Sequence, residues 1–231
     1  MKTFKIAIFS ILTVGLCSFA LFNTTSSEEL PVDQELYQKF LKTFDKVELP
    51  YKITFDKPKT TTESLNREHS LESRKAEKGN DLDYEFSKFI PSIKRGYMSR
   101  MGPDEYKSDA LLTSNDLYSA VIYKKRPNYS IGFTKYVLAT FNSSGKLISE
   151  RTIAYNNSDY YEEPTIDKNL NIKIAHYKAN HGKNKKISYD LEKMEEMSIS
   201  KYGEIIAAGE TPNINSPEEL NKAIQLDLWE D

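Results

Sequence analysis

The sequence predicts an α+β domain, an antiparallel β-meander sheet of about six to eight strands with flanking helices. Three observations predict this class. Residues 135–155 alternate apolar and polar side chains on both sides of a polar turn that contains Gly145. The pattern of this turn recurs twice further along the chain. Amphipathic segments of helical period lie before and after the β-rich part, so helices and strands segregate along the sequence.

The recurring turn aligns without gaps at residues 141–148, 166–173 and 199–206. Each copy has an apolar residue, three turn-like residues, Gly or Leu, a polar residue and then an aliphatic residue. A tight hairpin demands this order, because the strand must end on the core face, reverse, and restart on the core face. The sequence therefore predicts three hairpins of one type.

Residues 1–20 predict a secretory signal peptide that is not part of the fold. Lys2 and Lys5 supply a positive start, residues 6–16 are mostly apolar, and small residues at Ser18 and Ala20 suit a cleavage site. The apolar run is shorter than the ~20 residues that a membrane span needs. We therefore expect a secreted or periplasmic protein.

Cys17 is the only cysteine of the chain. The preceding Leu16 argues against lipidation of Cys17, so a membrane location is expected only if that residue is lipidated. Cleavage after Ala20 would leave no cysteine, no disulfide and no thiolate metal site. The net charge of −2 and the absence of a basic block argue against a nucleic-acid partner.

The remaining chain predicts a polar linker at 21–30 followed by a single α+β domain at 31–231. Within the domain, residues 56–80 are polar and predict a mobile loop. Helix and strand both stay open for residues 191–197, which consist of good helix formers. Helices are expected near three segments, the second stopped near Ile90 by Pro91 and the third opened by a capping box: 31–47, 81–93 and 216–228.

One irregular segment, residues 95–106, is the candidate binding surface. It crowds arginine, methionine, tyrosine, glycine and acidic residues into a loop before the sheet, and functional groups often lie on such loops. A packing loop with gap-filling methionines is the alternative. The candidate binding residues are Arg95, Tyr97, Arg100, Asp104 and Tyr106.

The sequence predicts no catalytic residue, no metal site and no cofactor. The histidine pair His176 and His181 has no third ligand nearby in sequence, so we expect a structural or solvated role for it, and His69 is expected to be solvated. Residues 167–171 imitate the start of a calcium loop, but Ile172 and Lys178 stand where glycine and glutamate are needed. A hairpin turn explains that segment better.

Residues 95–106 (RGYMSRMGPDEY), the AVIY strand at 120–123 and the hairpin at 136–149 resemble a group of exported bacterial proteins of unknown function. The resemblance covers about residues 35–205. It implies a signal peptide, a helix and a hairpin meander, and it carries no catalytic residues.

Three functions follow as hypotheses. The leading one is a non-catalytic binding module of the bacterial envelope, whose partner is an envelope protein or a glycan. The second is a hydrolase of glycan or cell-wall material, with Asp104 or Glu105 as its acid. The third is a structural or assembly protein that pairs a sheet edge with a partner strand.

Overall fold

Two five-stranded sheets and a layer of helices make up the fold. The computed structural model describes residues 34–55, 57–64, 78–97, 103–127, 134–157, 159–214, 216 and 218–219. The predicted leader at 1–20, Cys17 and the linker at 21–30 lie outside these residues. The predicted α+β class and its antiparallel meander are confirmed.

The first sheet, sheet A, has the strand order β1-β3-β4-β5-β6. All of its pairs are antiparallel except the parallel pair of β1 and β3. Its strands are β1 Asp45–Lys46, β3 Glu105–Ser114, β4 Tyr118–Arg126, β5 Lys135–Asn142 and β6 Leu147–Tyr155.

The second sheet, sheet B, has the strand order β10-β9-β8-β7-β2, and all of its pairs are antiparallel. Each sheet is therefore a four-stranded meander with a two-residue strand added beside the first meander strand. The sequence predicted one sheet of about six to eight strands, whereas the structure has ten strands in two sheets of five. The strands of sheet B are β2 Tyr51–Lys52, β7 Tyr160–Ile166, β8 Asn171–His181, β9 Ile187–Ile199 and β10 Ile205–Ala207.

Two α-helices and a 3-10 helix cover one face of sheet A. Helix α1, Gln34–Lys42, ends earlier than the predicted Val47, because the chain there turns into β1 and the Val47 N–H donates to Leu111 O at 3.2 Å. The predicted helix over 81–93 is instead a 3-10 helix, Tyr84–Lys88, followed by helix α2, Pro91–Tyr97. Pro91 thus starts a helix, because proline suits the first helical position, where no N–H bond is lost.

Sheet A is buried on both faces. Aromatic residues of the helices pack on its outer face, as where the Phe40 and Phe141 rings meet edge to face at 5.4 Å. Its inner face packs against the inner face of sheet B, with aliphatic residues such as Ile122 and Leu138 from sheet A and Ile172 and Ile174 from sheet B. The molecule therefore has three layers, and sheet A is the middle one.

The three predicted hairpin turns share one hydrogen-bond pattern. Asn142, Asp167 and Ser200 each use a side-chain oxygen to accept backbone N–H groups two and four residues later, at 2.8–3.3 Å. The fourth residue has φ of 84° at Gly145 and 87° at Gly203, which glycine tolerates best. The sequence repeat is thus the signature of one turn type.

Two strand predictions need correction or completion. Strand β3 starts at Glu105, within the segment 95–106 that was predicted as a loop before the sheet, because Glu105 already pairs with Arg126 of β4. Residues 191–197, for which helix and strand were both open, belong to strand β9. At the C-terminal segment, Ser216 Oγ accepts the Glu219 N–H at 3.1 Å, as the predicted capping box requires, and residues 220–231 lie outside the described part.

Candidate functional site

The predicted binding residues do not form one surface among the described residues. Arg95 is exposed near the end of α2, and Arg100 and the side chain of Tyr97 lie outside the described residues. Tyr106 is a buried residue of β3, 5% exposed, and packs in the core cluster beneath the helices. Tyr106 is therefore a packing residue rather than a contact on an open loop.

Asp104 and Tyr106 are brought together by Lys125 of β4. The Lys125 Nζ lies 3.4 Å from Asp104 Oδ2 and 5.4 Å from the centre of the Tyr106 ring. Burial of Lys125 works against its charge, but Tyr106 and Asp104 outweigh burial and raise the pKa of the ammonium group. This group of side chains is an internally satisfied ion pair at the end of the sheet.

A different feature of the described fold is the outer edge of β9. We define the β9 edge as residues 190–195 on the side of β9 that faces away from β8. Strand β10 pairs with β9 only over Met197–Ile199. No described residue pairs with the backbone of the β9 edge, although paired neighbours flank it at both ends.

Two large apolar side chains lie on the β9 edge. Leu191 is 55% exposed and Met194 is 52% exposed. Between them, Glu192 and Lys193 are exposed as well, and Asp190 precedes them. Since unpaired strand edges in soluble proteins are normally covered or blunted by charge, apolar side chains beside such an edge are a feature that a partner could use.

Lys57 anchors the segment 57–64 to the outer face of sheet B. Its Nζ lies 3.6 Å from the centre of the Tyr177 ring and 3.0 Å from Glu163 Oε1. The Tyr189 hydroxyl donates to the carbonyl of Pro58 at 2.8 Å. The segment therefore packs on the tip of the β8–β9 hairpin, next to the β9 edge, through a cation–π contact and a hydrogen bond.

A charged cluster lies at one end of the interface between the sheets. The His176 Nδ1 lies 3.0 Å from Glu162 Oε1, and its Nε2 lies 3.4 Å from Glu195 Oε2. Glu195 also accepts a hydrogen bond from Arg151 of sheet A at 3.2 Å, and the His176 side chain is 14% exposed. The cluster joins β6, β7, β8 and β9 across the two sheets.

The His176 ring meets a carboxylate at each of its two nitrogens. Within the described residues, the His176 ring makes hydrogen bonds or ion pairs only with Glu162 and Glu195, so no hydroxyl or thiol nucleophile is paired with it. In the same part of the chain, no group of three or more His, Cys, Asp or Glu side chains could hold a metal ion. A charge-balanced link between the sheets is the role that this geometry supports.

A second polar group is buried beside the first strands of the sheets. The Tyr51 hydroxyl donates to Asp109 Oδ2 at 2.8 Å, and Lys124 Nζ lies 2.8 Å from Asp109 Oδ1. Burial, and then the Asp109 carboxylate, raise the pKa of the Tyr51 phenol well above its usual value. The phenol therefore stays protonated as a donor, and the group ties β2 to β3 and β4.

Over the described ranges, no helix is long and apolar enough to cross a membrane. A surface depression of about 380 Å³ at the β10 end of sheet B is spanned by the ion pair of Lys173 and Glu196 at 2.9 Å. The Asp167 carboxylate also lines the depression and accepts hydrogen bonds from the backbone N–H groups of Asn169 and Asn171, so the lining charges already have partners within the fold. The β9 edge thus remains the best candidate for contact with another molecule.

The β9 edge was not predicted from the sequence, because residues 191–197 are compatible with a helix as well as with a strand. Glu, Lys and Met have poor strand propensity, so the segment is held as a strand by its pairing with β8 rather than by its own preference. A usable signal was present: acidic residues and a lysine surround Leu191 and Met194 on a strand that follows the predicted hairpin of β8.

Comparison with known proteins gives no match: no protein-family model, curated protein or solved structure is similar to the chain. The functional argument therefore depends on the chain itself.

Proposed function

We propose that this chain is an exported, non-catalytic interaction module of the bacterial cell envelope that binds a partner protein through the β9 edge. The observation that carries the proposal is the exposure of Leu191 and Met194, 55% and 52%, on an edge that no described residue pairs. A partner that covers this edge gains apolar burial and backbone hydrogen bonds together.

Among the described residues, the exposed large hydrophobic side chains elsewhere are the tyrosines Tyr84 and Tyr160, whereas Leu191 and Met194 carry no polar hydroxyl. Single exposed apolar side chains are ordinary on protein surfaces. Here two of them lie three positions apart on one strand, beside backbone groups that no described residue satisfies. The charged groups at the interface between the sheets, by contrast, are paired with one another.

Export rests on the sequence of residues 1–20, which has the charged start, apolar run and small-residue cleavage site of a signal peptide. The test is mass spectrometry of the protein from its native host after cell fractionation. We expect a chain that begins near Leu21 in the exported fraction. An intact leader in the cytoplasm would contradict export.

Binding at the β9 edge is tested in the same host by photo-crosslinking. A photoreactive phenylalanine analogue replaces Met194, and in a matched control it replaces Tyr84, which is 48% exposed on the 3-10 helix at the other side of the fold. We expect one discrete adduct from position 194 and none from position 84. Equal labelling at both positions would contradict a specific surface.

The hydrolase hypothesis is tested alongside. Asp104 lies 3.4 Å from Lys125, and Glu105 lies 4.0 Å from Arg126, so both carboxylates are already engaged in ion pairs within the fold. We expect no soluble fragment from purified peptidoglycan. Release of fragments by the natural chain, lost in Asp104→Asn, would replace the binding module by the hydrolase.

A further inference from the structure

A β-bulge in β3 places Asp109 at the interface between the two sheets. Ser108 and Ala110 pair with neighbouring residues of β4, so Asp109 is the extra residue of the bulge. The bulge shifts the alternation of the strand: Tyr106, before it, packs beneath the helices, and Ala110, after it, packs between the sheets. Bulges are over-represented next to active sites, where they re-aim a side chain. The Asp109 carboxylate is directed in this way toward β2 and β4.

Two side chains meet the Asp109 carboxylate there. The Tyr51 hydroxyl of β2 donates to Oδ2 at 2.8 Å, and the Lys124 Nζ of β4 lies 2.8 Å from Oδ1. The Lys124 side chain is 8% exposed and the Asp109 side chain is 12% exposed. A primary amine, a carboxyl group and a hydrogen-bond donor therefore converge where little water reaches them.

We propose that Asp109 and Lys124 join in an isopeptide bond, an amide between the two side chains that links β3 to β4 covalently, and that Tyr51 assists its formation. This self-modification is separate from binding at the β9 edge and does not depend on it. All three groups belong to the chain itself, so the reaction needs no second protein.

The reaction is a condensation that releases one water molecule. Lys124 Nζ first passes a proton to Asp109 Oδ1 along their 2.8 Å contact, which leaves a neutral amine beside a carboxylic acid. The nitrogen lone pair attacks Cγ, and negative charge develops on Oδ2, to which the Tyr51 hydroxyl donates. The nitrogen loses a second proton to Oδ1, the Cγ–Oδ1 bond breaks, and Oδ1 leaves as water. Nζ keeps one hydrogen, and Oδ2 is the carbonyl oxygen of the amide.

Burial and proximity favour the amide over the ion pair. In water, hydration stabilises a free carboxylate and a free ammonium ion, so their condensation is unfavourable. Burial has already removed most of that hydration from Lys124 and Asp109, and the neutral amide carries no charge to desolvate. The fold also holds the two groups in contact, which replaces a collision between separate molecules by a positioned pair. Tyr51 remains a donor throughout, because burial raises the pKa of its phenol.

Burial distinguishes this pair from another lysine–carboxylate pair with a similar distance. Lys173 Nζ lies 2.9 Å from Glu196 Oε1, but the two side chains are 60% and 54% exposed. Water solvates both of those charges, so that pair gains nothing from becoming a neutral amide. Lys173 is therefore the matched internal control for Lys124.

The test is peptide mass spectrometry of the natural chain, purified in its folded form and then digested with trypsin. An unmodified chain yields peptide 108–124, which contains both Asp109 and Lys124. An isopeptide bond blocks cleavage after Lys124, so we expect peptide 108–125, lighter than its sequence by one water, and normal cleavage after Lys173. Predominance of either peptide at its full mass would overturn the proposal.

A succinimide at an aspartate is another source of a one-water loss, but it leaves Lys124 free for trypsin. Peptide 108–124 lighter by one water would therefore show a succinimide and overturn the isopeptide bond. Fragmentation in the mass spectrometer provides the same decision. A loop closed between residues 109 and 124 releases no backbone fragments from within it, whereas a succinimide leaves the chain open to fragmentation throughout.

Lys124→Arg tests the amine. Arginine keeps the positive charge, but its guanidinium stays protonated and is no nucleophile. We expect this variant to keep its full sequence mass, and a loss of one water from it would contradict Lys124 as the reacting amine.

Tyr51→Phe tests the phenol. After refolding from urea, we expect this variant to release water at least about tenfold more slowly than the natural chain, because the donor to Oδ2 is lost. An equal rate would contradict the role of Tyr51. The peptide measurement on the natural chain decides the bond itself and does not depend on the folding of either variant.

Discussion

Strands β4 and β9 each belong to a four-stranded meander, yet most side chains of β4 are buried and most side chains of β9 are not. Eight of the nine residues of β4 are buried, because the helices cover one face of sheet A and sheet B covers the other. Only three of the thirteen residues of β9 are buried, at its two ends. The difference teaches that the middle sheet supplies stability, whereas the outer sheet can present side chains without loss to the core.

Removing a ring from sheet A tests this comparison with the largest expected effect. Phe141 of β5 is 0% exposed and contacts the Phe40 ring, so Phe141→Ala leaves a cavity that the packed helices cannot fill. We expect the free energy of unfolding in urea to fall by about 3–5 kcal/mol. The matched variant in sheet B is Met194→Ala, for which we expect a change within about 0.5 kcal/mol. Similar losses in both would remove the distinction between the sheets.

The same contrast explains how much of the fold the sequence could predict. The hairpin at 135–155 was predictable because its alternation and its glycine turn are local signals. The three aligned turns were predictable because each needs a side-chain acceptor at Asn142, Asp167 or Ser200. The division into two sheets was not, because it depends on the consecutive strands β6 and β7 lying in different sheets, and no local pattern marks where a meander passes from one sheet to the next.

The candidate site was less predictable, for a physical reason. Residues 95–106 attracted the functional prediction because they are chemically varied, but Tyr106 uses its ring for core packing. The β9 edge is instead defined by a lack of pairing with any described residue, which no local composition reveals. Leu191 and Met194 would be ordinary core residues in a helix, and only their place on a half-covered strand makes them candidates for binding.

Replacing Gly203 and Gly209 by alanine tests how closely sheet B packs on sheet A. Gly203 has φ of 87°, and a Cβ there would lie 2.9 Å from Ile148 Cδ1 and 3.0 Å from the Tyr118 ring. Gly209 has φ of 88°, but a Cβ there would meet nothing within 4 Å. We expect Gly209→Ala to cost about 1–2 kcal/mol from backbone strain alone. Gly203→Ala should cost a further 1–3 kcal/mol, roughly, from crowding.

Urea unfolding of both glycine variants measures these costs. The φ angles at Gly203 and Gly209 are alike. The difference in unfolding free energy between the two variants therefore measures how tightly the β9–β10 turn packs on sheet A. Equal costs would show that the turn of sheet B is not pressed against sheet A, and the three-layer packing would need revision at this end.

Lys57→Met tests whether sheet B holds the segment 57–64 by charge. The variant keeps most of the aliphatic stem but loses the cation above the Tyr177 ring and the ion pair with Glu163. Since the Lys57 side chain is only 22% exposed, we expect a loss of about 1 kcal/mol, which is typical of a partly desolvated cation–π contact. The control is Lys183→Met in the β8–β9 turn. Thermal unfolding should separate the two, and equal melting temperatures would contradict a specific anchor.

Asp167→Asn gives the smallest expected effect and distinguishes charge from turn geometry. Hydrogen bonds from the Asn171 side chain, then from the backbone N–H groups of Asn171 and Asn169, lower the pKa of Asp167. Because the pKa of Asp167 is lower in the folded chain, its ionised carboxylate stabilises the fold at pH values above the unfolded-state pKa of about 3.9. That contribution disappears as the pH falls through the folded-state pKa. Asparagine can keep the backbone bonds, as Asn142 does in the β5–β6 turn, but it cannot ionise.

We therefore expect the natural chain to be slightly more stable than Asp167→Asn at pH 7 and the two to converge between about pH 4 and pH 2. Urea titrations at pH 7, 4 and 2 measure the difference, with Asp116→Asn as an exposed control in the β3–β4 turn. A difference that stays constant with pH would mean that geometry rather than charge distinguishes the two turns. In that case the Asn142 turn of sheet A and the Asp167 turn of sheet B would be equivalent. The difference between β4 and β9 would then come only from the residues that pack against each strand.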